Sequence, residues 1–267
     1  LDVVSFYPRM IINYGFAPAH LGETFARRYD WFFTERKKYS KKDPINYIYK
    51  IILNSTYGLS NDVNSFLYDP LTTMKTTING QLLLSMLAES LGDITNSQLI
   101  MLNTDGLEIR IPKNMEKQFH ERCSAWEEMS GLQLEYDEYD KIILGDVNNY
   151  IGVFAKREIN EEVYNSLIDS TSHDLYFKED NKYYFSPVKL KGRFEVKLDY
   201  HKNPSSLIVP KALYEYFVKG RDVKVTVESN DNIHDFMFGV KKKYDFELLF
   251  YTLNKGIIQA DKQQKVC

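Results

Sequence analysis

Leu99-Ile100-Met101-Leu102 is a continuous apolar run, and from Leu107 the chain alternates, with Leu107, Ile109 and Ile111 apolar and Glu108 and Arg110 polar. Two extended runs joined by Asn103-Thr104-Asp105-Gly106 predict a β-hairpin, because Asp-Gly accepts the positive φ angles of a tight turn. Asp105 then sits at the hairpin tip. Elsewhere the period is helical. Leu82, Leu83, Met86, Leu87 and Leu91 mark the apolar face of a helix over about 75–91, ended by Gly92. Phe119, Cys123, Trp126 and Met129 mark a core stripe on a second helix over 115–129. Residues 23–42 predict a helix crowded with aromatics and cations, among them Trp31, Phe32, Phe33, Arg36, Lys37 and Lys38, which Asp43-Pro44 breaks. A helix over 45–57 follows and stops at Gly58. These two form an antiparallel helical hairpin.

At the start of the chain Leu1-Asp2-Val3-Val4 is extended. Ser5 is placed to cap a helix running through Met10-Ile11-Ile12, with Pro8 in its first turn. Residues 61–69 read as a loop. Residues 132–155 alternate like two or three strands, turning at Gly145-Asp146. A surface helix and loop over 160–173 precede an extended stretch over 183–198, interrupted by Gly192. A helix over 206–218 ends before Gly220. The remainder predicts a strand over 223–227, a short helix over 232–238 and a strand over 246–252. Helices set among mostly antiparallel strands make an α+β chain.

The 267 residues, 43% hydrophobic, suffice for one large body or two modest domains. A net charge of −3 gives no global basic field, so any nucleic-acid site must be a local patch. Cys123 and Cys267 make no disulfide framework and favour a reducing compartment. No apolar run approaches the roughly 20 residues of a membrane span, and no secretory signal is present. A cytoplasmic protein without a membrane partner is expected. The chain opens in what reads as a strand end, which predicts a fragment of a longer protein.

Two constellations carry chemistry. Asp2 and Asp105 are both strand-end acids. Two such carboxylates brought together in one sheet are what a two-metal phosphoryl-transfer site needs, although strand-end acids occur in any chain. Lys50, Asn54 and Tyr57 lie at i, i+4 and i+7 and so share one helical face. One cation, one amide and one aromatic suit a triphosphate at one end and a base or sugar at the other. A solvated face is the plain alternative. Arg36, Lys37 and Lys38 on the preceding helix are expected to face Lys50 and widen the cationic patch.

The motifs then combine. Asp2-Val3-Val4-Ser5-Phe6-Tyr7-Pro8 resembles the first polymerase motif of family B DNA polymerases, Asp-x-x-Ser-Leu-Tyr-Pro. Lys50…Asn54-Ser55-Thr56-Tyr57-Gly58 resembles the second, Lys-x-x-x-Asn-Ser-x-Tyr-Gly. Asn103-Thr104-Asp105-Gly106 resembles the third, Asp-Thr-Asp-Ser. Tyr150-Ile151-Gly152 is similar to the tail of the Lys-Lys-x-Tyr segment, and Lys189-Leu190-Lys191-Gly192 to the Lys-x-Lys-Gly strand after it. Three motifs in order are far more specific than one. The departures are Asn103 in place of an acid, Gly106 in place of serine, and Val147-Asn148 in place of lysines. They point to a divergent, phage-type member.

The resemblance implies an α-helical hairpin of fingers over 23–58, a palm with an antiparallel sheet over 1–22 and 59–200, and the start of a thumb over 201–267. It implies a DNA-directed DNA polymerase that transfers dNMP from dNTP to a primer 3′-hydroxyl in viral DNA replication. Asp2, Asp105 and the Val3 carbonyl would hold two Mg²⁺ ions, with Mn²⁺ as a substitute. Backbone amides of Ser5 and Phe6 would hold the triphosphate, joined by Lys50 and Arg36. Tyr7 would exclude a ribose 2′-hydroxyl. Asn54 and Tyr57 would line the nascent pair, and Gly58, Thr104, Tyr150 and Lys191 would contact primer-template DNA. Other replisome proteins or a terminal protein are further expected partners. The rival reading, drawn from the departures, is a catalytically impaired, polymerase-like nucleic-acid-binding protein. Reverse transcription or RNA synthesis on a similar palm is disfavoured, because Asp105 is followed by glycine and not by a second acid.

Overall fold

The computed structural model describes residues 1–167, 173–196, 205–238, 249–252 and 256–259. The chain divides into two compact units, Leu1–Asp137 and Glu138–Cys267. Both mix helices with small antiparallel sheets, the α+β class expected from the pattern.

The first unit starts with β1 (Asp2–Val3) and α1 (Phe6–Tyr14). The helical hairpin follows as α2 (Gly22–Arg36) and α3 (Pro44–Leu59), and then comes the long α4 (Pro70–Gly92). The predicted hairpin forms from β2 (Gln98–Leu102) and β3 (Leu107–Arg110), with a register shift between Leu99 and Met101. Helix α5 (Glu116–Ser130) and β4 (Leu134–Glu135) complete the unit, β4 pairing antiparallel with β1.

Helix α1 is built into two cores at once. Phe6 and Met10 join Leu84, Leu87, Leu91, Leu107, Cys123 and Trp126 in one buried cluster. Ile11 joins Tyr29, Phe33 and Leu53 of the helical hairpin in the other. The hairpin is locked by the Tyr29 hydroxyl, which donates to the Leu53 carbonyl at 2.9 Å.

Several boundaries differ from those the sequence predicts. Helix α2 stops at Arg36, because the buried Asn46 amide donates to the carbonyls of Arg36 (3.2 Å) and Tyr39 (2.8 Å), closing off the helix end. Helix α3 runs through Gly58, and it is Ser60 that caps it, its hydroxyl donating to the Tyr57 carbonyl. Helix α4 starts five residues early, at the Asp69-Pro70 pair, and its buried face is Thr76, Gly80, Leu84, Leu87 and Leu91. Leu82 and Met86 are exposed. The rotation follows from Gly80, where a Cβ would come within 3.3 Å of the Phe6 ring, so that the small residues face α1. On α5 the stripe ends on buried Ser130 instead of Met129, which is exposed.

The α4 start carries a prediction. The Asp69 carboxylate accepts from the Leu71, Thr72 and Ala19 amides, tying the cap of α4 to the α1–α2 connection. Those amides, Ala19 first, hold its carboxyl below the ordinary value of 3.8. A depressed folded pKa means the stabilisation is complete above that value and is lost as pH falls through the lower folded value. Asp69→Ala should cost about 1 kcal/mol in a denaturant melt at pH 7. The difference from wild type should shrink in melts taken below pH 4; a constant difference would remove the charge from the account.

The second unit contains β5 (Tyr139–Asp146), β6 (Asn149–Phe154), β7 (Arg157–Ile159), α6 (Glu161–Leu167), β8 (Leu175–Glu179), β9 (Lys182–Ser186) and β10 (Val188–Lys191). The sheets run β10-β6-β5 and β7-β9-β8. The β5–β6 turn lies at Val147-Asn148, because Asp146 already pairs with Asn149. Helix α7 (Ile208–Lys219) ends at Gly220 in the left-handed conformation, as predicted. The expected strand over 223–227 is instead α8 (Val223–Glu228), nucleated by the Asp222 side chain accepting from the Val225 amide at 3.1 Å. The expected helix over 232–238 is a short 3-10 turn, Ile233–Phe236. Strands β11 (Leu249–Thr252) and β12 (Gly256–Gln259) pair antiparallel. Parts of the expected elements over 160–173, 183–198 and 246–252 lie outside the described residues. No helix among the described residues is long and apolar enough to cross a membrane.

Candidate active site

Three segments far apart in sequence meet in the first unit. Strand β1 lies between β4 and the hairpin tip. The Val3 amide donates to the Asp105 carbonyl at 2.7 Å, the Leu107 amide donates to the Leu1 carbonyl at 2.9 Å, and Asp2 and Gly106 form a bridge. The backbones bearing Asp2 and Asp105 are therefore neighbours. Asp105 is exposed and Asp2 half-buried. Asp105 is fixed through its carbonyl, and among the described residues its exposed carboxylate has no hydrogen-bond or ion-pair partner.

Gly106 explains itself by distance. A Cβ there would sit 2.3 Å from Asp2 Oδ1 and 2.4 Å from the Leu1 carbonyl oxygen. The missing side chain is what lets the Asp2 carboxylate lie against the turn. Asn103 also acts locally, its side-chain oxygen accepting from the Thr104 amide at 2.7 Å. Thr104 itself is exposed.

Ser5 stands at the N-cap of α1, but not as predicted. Its backbone is left-handed (φ 51°, ψ 48°) and its hydroxyl makes no cap bond. The first-turn amides of α1 thus have no side-chain acceptor from Ser5, and such helix ends attract anions. A non-glycine residue in this conformation costs about 1–2 kcal/mol, which the surroundings must offset.

Tyr7 ties the remaining motifs together. Its ring lies 4.7 Å from that of Tyr57, centroid to centroid, at 44°. Its pKa is raised, first by burial, then by Tyr57 and by the negative charge of Asp105. Burial likewise raises Tyr57. The two tyrosines sit at the seam between the two cores, Tyr7 packed on one and Tyr57 on the other.

On the helical hairpin, Lys50 and Asn54 are exposed on α3, on the same face as Tyr57. Arg36 is half-buried, its Nε donating to Asn46 Oδ1 at 3.1 Å, and burial lowers its pKa. Its two terminal nitrogens remain for other acceptors. Lys37 and Lys38 do not extend a patch around Lys50. The Lys37 ammonium lies 4.7 Å over the Phe33 ring, and Lys38 pairs with Glu35. Among the described residues no non-neighbouring atom lies within 4 Å of the position a Cβ would take at Gly58. Sequence reasoning missed Asn46, the contact of Gly106 with Asp2 and the Asp69 cap. Only the last had a sequence signal, the Asp-Pro pair.

In the second unit Tyr150 pairs with Lys191 across β6 and β10. The Lys191 and Lys189 ammonium groups lie 5.5 and 5.7 Å over the Tyr150 ring, which is buried. A Cβ at Gly192 would strike the Asn148 carbonyl at 2.3 Å, and the Asn149 side chain accepts from the Arg193 amide. Val147 and Asn148, standing in place of the expected lysines, thus form an exposed turn whose Asn148 carbonyl lies against Gly192. Burial pushes the Cys123 thiol of the first unit up to about 11, as befits a core residue.

Among the described residues no group of three or more His, Cys, Asp or Glu is arranged to hold a metal ion. The donors the neighbouring backbones bring to the hairpin tip are the carboxylates of Asp2 and Asp105. That all-oxygen set fits hard divalent cations, provided a ligand and water complete the coordination.

No family model and no curated protein matches the chain. Among solved structures it is similar to a family B DNA polymerase from the hyperthermophilic archaeon Pyrobaculum calidifontis. The TM-score is 0.40 at 16% identity, over 57% of this chain and 25% of that one. The chain thus spans about a quarter of that polymerase's length.

Proposed function

We propose that this chain is the palm and fingers portion of a DNA-directed DNA polymerase of phage type, joining dNMP units to a primer 3′-hydroxyl in DNA replication. The observation that supports this reading is the meeting of three motif segments: β1 hydrogen-bonded to the Asp105 turn, and Tyr7 packed on Tyr57 within reach of the Asp105 charge. A chance resemblance has no reason to bring residues 2–7, 54–58 and 103–106 to one place.

Asp2, Asp105 and the Val3 carbonyl would hold two Mg²⁺ ions, or Mn²⁺ in their stead. When bound, these supply charge neutralisation at the transferring phosphoryl group and at the attacking and leaving oxygens. The chain's own residues do the positioning. First-turn amides at Ser5 and Phe6 receive phosphate oxygens at the α1 N-terminus. Lys50 and Arg36 add cations from the hairpin. The Tyr7 ring, held from behind by Tyr57, fills the space a 2′-hydroxyl would need. Asn54 and Tyr57 line the nascent pair, and the bare backbone at Gly58 admits the template strand. Thr104 in the first unit, and separately Tyr150 and Lys191 in the second, would each contact DNA.

The test is extension of a labelled primer on a recessed template by the protein carrying this chain, with dNTPs and Mg²⁺ or Mn²⁺. No extension with either ion overturns the reading and leaves a nucleic-acid-binding role. Tyr7→Ala should raise rNTP incorporation relative to dNTP at least tenfold, since the barrier is steric and is removed with the ring. An unchanged ratio would show that Tyr7 is not the sugar gate.

A further inference from the structure

The helical hairpin has a second edge that this reading does not use. Residues 22–59 hold eight Lys and Arg against four Asp and Glu, a local charge of +4 in a chain of net −3. Along α2 and its exit, Arg28, Trp31, Phe32, Glu35 and Lys38 recur at three- and four-residue spacing and share one side. On that side four rings cluster. Trp31 meets Phe32 (5.0 Å between centroids) and Tyr49 (6.5 Å), and Tyr49 meets Phe32 and Tyr39 (both 6.0 Å). The cluster is not sealed: Trp31 keeps 46% of its surface exposed, and Arg28 and Lys38 flank it in the open. Tyr49 lies about 100° around α3 from Lys50, with buried Asn46 and Leu53 on the inner face between the two directions, so this edge is distinct from the one bearing Lys50, Asn54 and Tyr57.

We infer that this edge binds a single-stranded nucleic acid, with a base stacked on Trp31 and a backbone phosphate drawn to Arg28, beside which Lys38 is paired with Glu35. The arrangement has both elements such binding requires: an open aromatic face, which accepts any base, and cations beside it that follow a phosphate backbone. A protein partner has the weaker claim, because the helical hairpin as a whole carries +4 in an acidic chain and Arg28 is exposed on this edge, which favours a polyanion. The inference does not rest on the polymerisation reading, since it needs neither metal nor dNTP.

The chain holds its own reporter. Of its two tryptophans, Trp126 is buried, its indole N–H bonded to the Leu83 carbonyl, whereas Trp31 is half-exposed. Titration of the intact protein with an oligothymidylate of about 16 nucleotides, in EDTA, should quench its fluorescence, and Trp31→Phe should abolish the quench. By anisotropy of a labelled oligonucleotide, Trp31→Ala should weaken binding about tenfold and Trp31→Phe far less. Arg28→Ala should flatten the dependence of log affinity on log salt by about 0.7, the signature of one lost phosphate on a single strand. A merely structural role for Arg28 would not move that slope. Circular dichroism melts matching wild type show that the variants fold. Wild-type oligonucleotide affinity in Trp31→Ala, or absence of any quench, overturns the inference, the latter in favour of a protein partner.

Discussion

Asp105→Asn is expected to reduce primer extension by at least a hundredfold while leaving the melting temperature within a degree or two of wild type. The two halves of this expectation come from different atoms of one residue. The carbonyl of Asp105 accepts the Val3 amide and holds β1 to the hairpin tip, and asparagine keeps it. The exposed carboxylate has no comparable duty in the fold, so its charge is available for cations. On the proposed reading, losing one of two carboxylates that would hold metal removes several kcal/mol of transition-state stabilisation, and each 1.36 kcal/mol is a factor of ten in rate. Asp2→Asn should behave likewise. Incorporation at the wild-type rate by either variant would take that residue out of the mechanism.

Gly106→Ala should damage both fold and activity, through distances of 2.3 and 2.4 Å that no real Cβ tolerates. The Asp2 carboxylate could swing away. The Leu1 carbonyl has less room, since it accepts from the Leu107 amide and is embedded beside a buried leucine. Overpacking of this kind costs about 1–3 kcal/mol. For a chain of this size that is a fall of a few degrees in melting temperature for each kcal/mol. Catalysis should suffer more than stability, because the group displaced most easily is Asp2. The comparison to make is activity at a temperature where calorimetry shows the variant fully folded. Serine at 106 should do the same, and a variant with wild-type activity would show that the turn relaxes and that glycine is not required there.

What the sequence disclosed depended on how local the cause was. The hairpin at Asp105 was legible because its strand period lies within about a dozen consecutive residues, although the expected reason for Asp-Gly does not hold: neither Asp105 nor Gly106 adopts a positive φ, and the glycine is needed for the close approach of Asp2. Helix α5 was legible from its spacing. The buried face of α4 was not. Leu82 and Met86 outweigh Thr76 and Gly80 on any hydrophobicity count, yet Gly80 faces Phe6, a residue more than seventy positions earlier, and close approach to that ring selects small residues. Helix α8 was misread for the opposite reason: Val223, Val225 and Val227 alternate like a strand, while the deciding contact is one carboxylate, Asp222, reaching one amide. At the site, the motif residues, Gly106 among them, were all named in advance, but the contacts that give Asn46 and Gly106 their parts were not. Asn46 holds Arg36, and Gly106 makes room for Asp2. Both act through neighbours that only the folded chain supplies.

Helix α1 is a single rigid rod whose consecutive residues Met10 and Ile11 answer to different hydrophobic clusters. Because each position advances the helix by about 100°, removing one residue after Tyr7 would turn Ile11 toward the hollow shaped for Met10, and adding one would turn Arg9 toward it. Side-chain exchanges on this rod can be absorbed one at a time, whereas its length is held fixed from both sides, and with it the angle at which Tyr7 leaves the helix.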